Sequence, residues 1–344
     1  PIKFITPNFK ACMSSISQLL KENNPHEDIL AIAGSLGEKE NMPTYIVGGY
    51  VRDTLLGKPC QDIDIMVEGD GIAFAKKLAR ELKVNVTVDY DKFGTAMIPY
   101  PDVEIEVATA RIEKYRSDSR KPEVTSSTIE EDMSRRDFTI NAIAASLLPS
   151  NFGELYDPFG GIKDLQKGLI ITPLDPDETF SDDPLRMLRA VRFAAQLEYD
   201  VASIILESIS RNINRLEIVS WERIRDEIIK SLTTNKPSIA FYLMKETGLL
   251  AHVFPEMDIM SGIETINGMG HKDVFIHTLQ VVDNAAKLSD KMDIRFAALV
   301  HDIAKPPTKQ FDPKKGWTFH GHDEIGRRML KKIARRMKLS NNLR

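Results

Sequence analysis

Apolar and polar residues alternate with a period of two along QDIDIMVEG (61–69) and VEIEVATAR (103–111), which predicts strands with one face turned inward. TYIVGG (44–49) reads as a buried strand ending in glycines, VRDTLLG (51–57) as a short helix stopped by Gly57, and VNVTVDY (84–90) and TAMIPY (95–100) as further strands. Apolar positions at steps of three and four predict helices within 9–38, where Gly34 or Gly37 would close the second, and in AFAKKLAREL (73–82). A helix is also expected from about Asp137 through DFTINAIAASLL (137–148). After YDPFGGIKDL (156–165) the helical period takes over. It runs through DPLRMLRAVRFAAQL, VASIILESISRNI, VSWERIRDEIIKSL and PSIAFYLMKETGLL, and resumes after a glycine-containing linker (260–273) in DVFIHTLQVVDNAAKL, IRFAALVHDIAK and EIGRRMLKKIARRM.

Strands mixed with helices and then helices alone predict an α+β unit followed by all-helical ones. At 344 residues the chain has length for two or three domains. We expect a helical extension over 1–39, a mixed-sheet domain over 40–155, a helical domain over 156–262 and a further helical domain over 268–344. No apolar stretch approaches the ~20 residues of a membrane span, and PIKFITPNFK carries no signal-peptide pattern. Cys12 and Cys60 form neither a disulfide framework nor a zinc spacing, so a reduced, cytoplasmic protein is expected. The closing KLSNNLR reads as the end of one helix and the start of another, so the chain is expected to stop inside a domain.

A net charge of −4 gives no bulk signature of nucleic-acid binding, but charge can be local. Arg327, Arg328, Lys331, Lys332, Arg335, Arg336 and Lys338 form a basic cluster. On a strand, Asp62 and Asp64 share one face while Ile63 and Ile65 take the other. Two adjacent carboxylates repel unless a cation lies between them, and paired oxygen ligands suit a hard cation such as Mg²⁺. Gly48 and Gly49 at a helix start let backbone N–H groups approach phosphates, and Arg52 adds a positive charge. Taken alone, an Asp-x-Asp also suits a solvated strand face. Asp137 and Asn141, four apart, would share a helix face behind Arg135 and Arg136. Asp183 before Pro184 has the form of a helix cap. His277 and the adjacent pair His301-Asp302 are candidate metal ligands.

GGYVRDTLLGKPCQDIDI (48–65) closely resembles the signature of class II tRNA nucleotidyltransferases and bacterial poly(A) polymerases, within the polymerase-β-like superfamily. The resemblance continues in order through KFGTAMI, VEIEVATAR, SRRDFTINAIA, YDPFGGIKDL, DDPLRMLRAVRFAA and SWERIRDEI, over roughly residues 40–260. It implies a nucleotidyltransferase head with a mixed sheet and a helical neck. It also implies template-independent, Mg²⁺-dependent addition of C and A from CTP and ATP to the tRNA 3′ end, with poly(A), A-only or CC-only addition as alternatives. Asp62 and Asp64 would hold Mg²⁺, and Glu106 matches the family's third carboxylate, although an acidic strand face explains it equally well. Arg136 would lie near phosphate and Asp137 near the ribose 2′-hydroxyl. Asp183 and Arg186 would read the base. Asp182 stands where Glu is usual in the family. Arg189 and Arg192 continue a cationic face that would position phosphate, RNA or the base reader itself, and a solvated helix face explains them about as well.

VHDIAKPPTK and FHGHDEIG resemble the HD superfamily of metal-dependent phosphohydrolases. That resemblance implies a divalent transition metal on His277, His301 and Asp302, with His322 as an addition, and a closing Asp beyond residue 344. A phosphohydrolase whose head only binds RNA or nucleotide is therefore the rival from another class.

Overall fold

The structure, a computed structural model, describes residues 14–339 apart from 23, 61, 85–86, 91–93, 117–118 and 267. Cys12 and the first part of the expected N-terminal helix lie outside the described residues. The chain divides into two compact units, 1–175 and 176–344.

The first unit is built on strands β1 (Thr44–Val47), β2 (Asp62–Val67), β3 (Val88–Tyr90), β4 (Thr95–Tyr100), β5 (Val103–Thr109), β6 (Arg111–Arg116), β7 (Ser119–Ser126), β8 (Ala144–Ser146) and β9 (Leu155–Tyr156). Seven of them form one mixed sheet in the order β3-β4-β5-β2-β1-β8-β9, and β6 pairs with β7 as a separate hairpin. The β2–β5 pair is parallel, with Asp62 opposite Glu104 and Asp64 opposite Glu106, whereas β1 runs antiparallel to β2. Helices α1 (Ser17–Lys21), α2 (Glu27–Glu40), α3 (Gly49–Leu55), α4 (Gly71–Glu81), α5 (Ile129–Ser134) and α6 (Gly161–Lys167) complete the unit. Ile63, Ile65, Ile105 and Val107 belong to one buried cluster with Leu30 and Ala33 of α2 and with Phe74 and Leu78 of α4. The opposite face of β2 carries the aspartates.

Two expectations are corrected. Gly34 and Gly37 do not end the second helix, which runs on to Glu40. They are contact points instead: a Cβ on Gly34 would lie 1.8 Å from the Leu147 carbonyl oxygen, and one on Gly37 would lie 2.2 Å from Thr44 Oγ1. The stretch 137–148 is not a helix either. A 3₁₀ turn, Thr139–Asn141, leads into β8, which pairs with β1 (Ile46 opposite Ala145). An apolar run buried all round, as 142–147 is, has the same pattern for a helix and for a central strand, and only pairing decides.

The second unit is helical: α7 (Pro176–Asp182), α8 (Leu185–Leu197), α9 (Ser203–Asn212), α10 (Trp221–Leu232), α11 (Ser238–Glu246), α12 (Leu249–Val253), α13 (Pro255–Asp258), α14 (Val274–Leu288), α15 (Met292–Val300), α16 (Lys305–Thr308) and α17 (His322–Arg336). Arg295 of α15 is buried and donates to the carbonyls of Leu232, Thr234 and Ser289 at 2.8–2.9 Å, satisfying groups freed at the end of α10 and beyond α14. Among the described residues, no helix is long and apolar enough to cross a membrane.

Candidate active sites

Alternation on β2 and the parallel register with β5 bring four carboxylates to one face of the sheet: Asp62 and Asp64, with Glu104 opposite the first and Glu106 opposite the second. Burial raises the carboxyl of Asp64 above its ordinary range, with the Arg136 cation opposing and the Asp62 charge adding to the rise. Burial raises Glu106 as well, and the charge of Asp64 reinforces it. Ionised carboxylates under mutual repulsion make an oxygen-donor set that fits a hard divalent cation.

Beside them, β1 ends at Gly48, whose φ of +67° only glycine adopts without strain, and α3 begins. A Cβ at Gly48 would lie 2.7 Å from Arg136 Nη1, so the residue is also small because the guanidinium passes there. Gly49 is the first residue of α3, so the expected glycine–helix junction is in place. Arg52, by contrast, is buried. Its guanidinium meets both oxygens of Asp53 at 2.8–2.9 Å and donates to Asn141 Oδ1 at 2.6 Å. Asn141 in turn donates to Asp137 Oδ1 at 3.0 Å, an oxygen that also accepts the Phe138 N–H at 2.9 Å. Arg52, Asn141 and Asp137 therefore form one network tying α3 to the 3₁₀ turn. The expected proximity of Asp137 and Asn141 holds although the helix that motivated it does not exist.

Sequence reasoning missed Asp132. This buried carboxylate on α5 accepts from Arg135 Nε at 3.0 Å and from Arg136 Nε at 3.3 Å. Burial opposes its ionisation, but the Arg136 and Arg135 cations prevail and hold its carboxyl below the usual range. The signal was present: an acid three and four residues before two arginines is the spacing of a helical ion pair.

In the second unit, Asp183 sits between α7 and α8. Its Oδ1 accepts the Leu185 N–H at 3.2 Å, the cap role, while its Oδ2 pairs with Arg223 of α10 at 2.9 Å. Arg223 lies within SWERIRDEI, which gave no reason to single it out. Arg186 is half-buried on α8, one turn along. Arg189 lies over the Phe193 ring at 5.3 Å. Arg192 is buried, stacked on Phe193 at 3.9 Å, and its Nε meets Glu227 Oε2 of α10 at 2.6 Å. That geometry is a pin between two helices, so Arg192 does not present a solvated cationic face.

Farther on, ligand atoms of His277, His301 and Asp302 lie within 4.8 Å of one another. Asp302 Oδ2 is buried without a well-directed hydrogen bond, although His301 Nε2 stands 3.1 Å and Lys305 Nζ 2.7 Å away. Burial works against ionisation of Asp302, but the neighbouring His301 and Lys305 prevail and hold its carboxyl at about 2. His301 Nδ1 lies 2.9 Å from the Ala298 carbonyl, so its proton belongs there and Nε2 is left as the ligand. A buried, ionised carboxylate with two imidazoles beside it fits a divalent ion. His322 is not among the three; its Nδ1 faces the Phe319 carbonyl at 2.8 Å.

Comparison with known proteins gives three matches in chain order. Residues 44–171 match the Poly A polymerase head domain, 199–260 the Probable RNA and SrmB- binding site of polymerase A, and 274–343 the HD domain. The Multifunctional CCA protein of Nitrosospira multiformis is 33% identical over 314 residues, which cover 88% of this chain and 71% of that protein. The A-adding tRNA nucleotidyltransferase of Geobacter sulfurreducens is 34% identical over 276 residues, which cover 79% of this chain but 29% of that one. The Thermotoga maritima CCA-adding enzyme, solved in complex with tRNA_CCA, aligns with a TM-score of 0.68 at 28% identity, over 96% of this chain and 70% of that one.

Proposed function

This chain belongs to the family of CCA-adding tRNA nucleotidyltransferases, and from that premise we propose that it adds C and A nucleotides, without a template, to the 3′ end of tRNA. The observation that carries the reading is the register that sets Asp64 beside Glu106, next to Asp62 and the Gly48–Arg136 junction. Asp62 and Asp64, with Glu106, would hold Mg²⁺. When bound, that ion supplies charge neutralisation at the α-phosphate and lowers the pKa of the attacking RNA hydroxyl. Arg136, held by Asp132, is the cation aimed at the triphosphate, and the backbone N–H groups at the start of α3 add donors. Asp137 would accept from the ribose 2′-hydroxyl, favouring ribonucleotides. In the reaction, the 3′-oxygen forms the new bond to phosphorus as the bond to the β-phosphate oxygen breaks and pyrophosphate leaves.

Base choice is assigned to Asp183 and Arg186. Cytosine and adenine each offer an amino donor beside a ring-nitrogen acceptor; uracil and guanine offer the reverse. A carboxylate only accepts and a guanidinium only donates, so one Asp–Arg pair matches C and A and opposes G and U. The test of the reaction type is stoichiometry. With labelled CTP and tRNA lacking its CCA end, label should enter RNA with one pyrophosphate released per nucleotide, and chelation of Mg²⁺ should stop it. Release of inorganic phosphate without incorporation would favour the phosphohydrolase rival.

Because burial raises Asp64 and Glu106, protons compete with the metal. The Mg²⁺ concentration giving half-maximal incorporation is therefore expected to rise as the pH is lowered towards the carboxylate range, and to begin rising at a higher pH than an ordinary carboxylate would give. A Mg²⁺ requirement that stays unchanged down through the ordinary carboxylate range contradicts carboxylate ligation.

For the HD module we propose metal-dependent hydrolysis of phosphate esters at His277, His301 and Asp302. Replacing His301 and Asp302 together by Ala should remove one class of Mn²⁺ site in equilibrium dialysis and any phosphohydrolase activity. Incorporation of CTP should stay within about twofold, as expected for independent sites. Loss of incorporation at unchanged melting temperature would mean that the two sites are coupled.

A further inference from the structure

Helix α17 presents a charged face that contrasts with the chain's net negative charge. Its inward positions include Gly326, Ile333 and Ala334, followed by Met337, while every exposed position from 327 to 338 is a cation: Arg327, Arg328, Lys331, Lys332, Arg335 and Lys338. Steps of one and three residues keep these on one side of the helix. The face contains like-charge pairs four residues apart, Arg327 with Lys331, Arg328 with Lys332 and Lys331 with Arg335, each of which weakens a helix in isolation. Arg327 and Arg328 share Glu324 at 2.9 and 3.1 Å, whereas Lys331, Lys332 and Arg335 make no ion pair among the described residues. The far end of the helix is fixed to α10 and α13. Arg336 forks onto Glu256 with two contacts of 2.7 Å, Lys338 pairs with Glu222, and Arg225 Nη1 donates to the Lys338 carbonyl at 2.7 Å. The anchoring residues lie in or beside the segment 199–260 that matches the RNA-binding model.

We propose that this face of α17 binds the phosphate backbone of the tRNA, continuing the RNA-binding surface of the neck into the HD module. The inference rests on tRNA being the substrate. The stripe from 327 to 335 runs about 12 Å along the helix axis, room for two to four phosphates of one strand. Ile333, Ala334 and Met337 are packed into the fold, and the exposed face carries one apolar side chain, Ile325, against six cations, whereas an interfacial membrane helix needs a broad apolar face to enter the bilayer. Exposed cations on an anchored helix suit a polyanion whose counterions are released on binding.

The test is the salt dependence of tRNA affinity, measured by fluorescence anisotropy on the full chain with a labelled tRNA lacking its CCA end. The Lys331→Gln, Lys332→Gln, Arg335→Gln triple variant should bind at least tenfold more weakly at low salt. The slope of log affinity against log salt should flatten by up to about 2.7, since each of the three lost phosphate contacts removes close to 0.9. The charge-reversed Lys331→Glu should lose more than Lys331→Gln, and melting curves should show both variants folded. Equal affinity and slope in wild type and triple variant overturn the proposal, as does loss of binding to phosphatidylserine vesicles with tRNA binding intact. Failure of the wild-type protein to bind or extend tRNA would instead remove the functional reading beneath it.

Discussion

Asp64→Asn is expected to lower nucleotide incorporation by at least about a thousandfold, equivalent to roughly 4 kcal/mol of lost transition-state stabilisation, and to raise the melting temperature of the metal-free protein at neutral pH. The two effects share one cause. Asp64 is held on β2 where burial disfavours its charge and Asp62 repels it, so its carboxyl titrates above the ordinary range. A folded-state value above the unfolded one means that the native protein binds the proton more tightly. Stability is then gained as pH falls below the folded value and lost as pH rises through it. At neutral pH the ionised carboxylate therefore works against the fold unless a cation offsets it, and an amide removes that opposition. The advantage of the variant should shrink as pH is lowered towards the carboxylate range and shrink again when Mg²⁺ is added to the wild type. A variant that is less stable than wild type in metal-free buffer at neutral pH, or that retains substantial transfer at saturating Mg²⁺, contradicts the metal-site assignment.

Exchanging the proposed base readers, Asp183→Arg with Arg186→Asp, is expected to shift the ratio of UTP to CTP incorporation by tenfold or more. A matched bidentate contact is worth about 1–3 kcal/mol of base discrimination, and the exchange offers a donor where U and G carry oxygen. The absolute rate should fall for two reasons visible in the fold. Asp183 Oδ1 caps the Leu185 N–H, which Arg cannot do, and Asp183 Oδ2 pairs with Arg223, which would then face a second guanidinium. Adding Arg223→Gln to the exchange should restore part of the rate by removing that repulsion. Single variants should lose selectivity without acquiring the new preference. An exchanged enzyme that still prefers C and A by the original margin would leave Asp183 as a cap alone and assign base choice elsewhere.

What could be read from the chain depended on whether a local pattern had one structural solution. DIDI has one: alternation with isoleucines inward forces both aspartates onto the same face, and the carboxylate cluster follows from a parallel neighbour that sets Glu104 and Glu106 beside them. The run from Ala142 to Leu147 has two, and the central strand wins because β1 offers a free edge. The glycines of α2 also misled, because a helix-stopping glycine and one required by close packing look alike until Leu147 and Thr44 are in place. Pairing partners distant in sequence were invisible for a different reason. For Arg192 the sequence left a positioning role and a solvated face equally open, and only the packing of α8 on α10 brings Glu227 to it. Asp132 was legible by spacing yet carried no chemistry of its own, since its effect is exerted through Arg136. The hairpin of β6 and β7 was not anticipated at all; RIEKYR and SRKPEVTS carry no regular apolar–polar alternation in the sequence by which a strand can be recognised.

The central claim is that one site, without a template, adds C, then C, then A, and stops. The direct measurement is sequencing of 3′ ends after tRNA lacking CCA is incubated with the protein, Mg²⁺ and all four nucleoside triphosphates at equal concentration. Ends of CCA, with intermediates only at C and CC and with U and G rare, are the predicted result; long A tracts, termination at CC, or frequent U and G would contradict it.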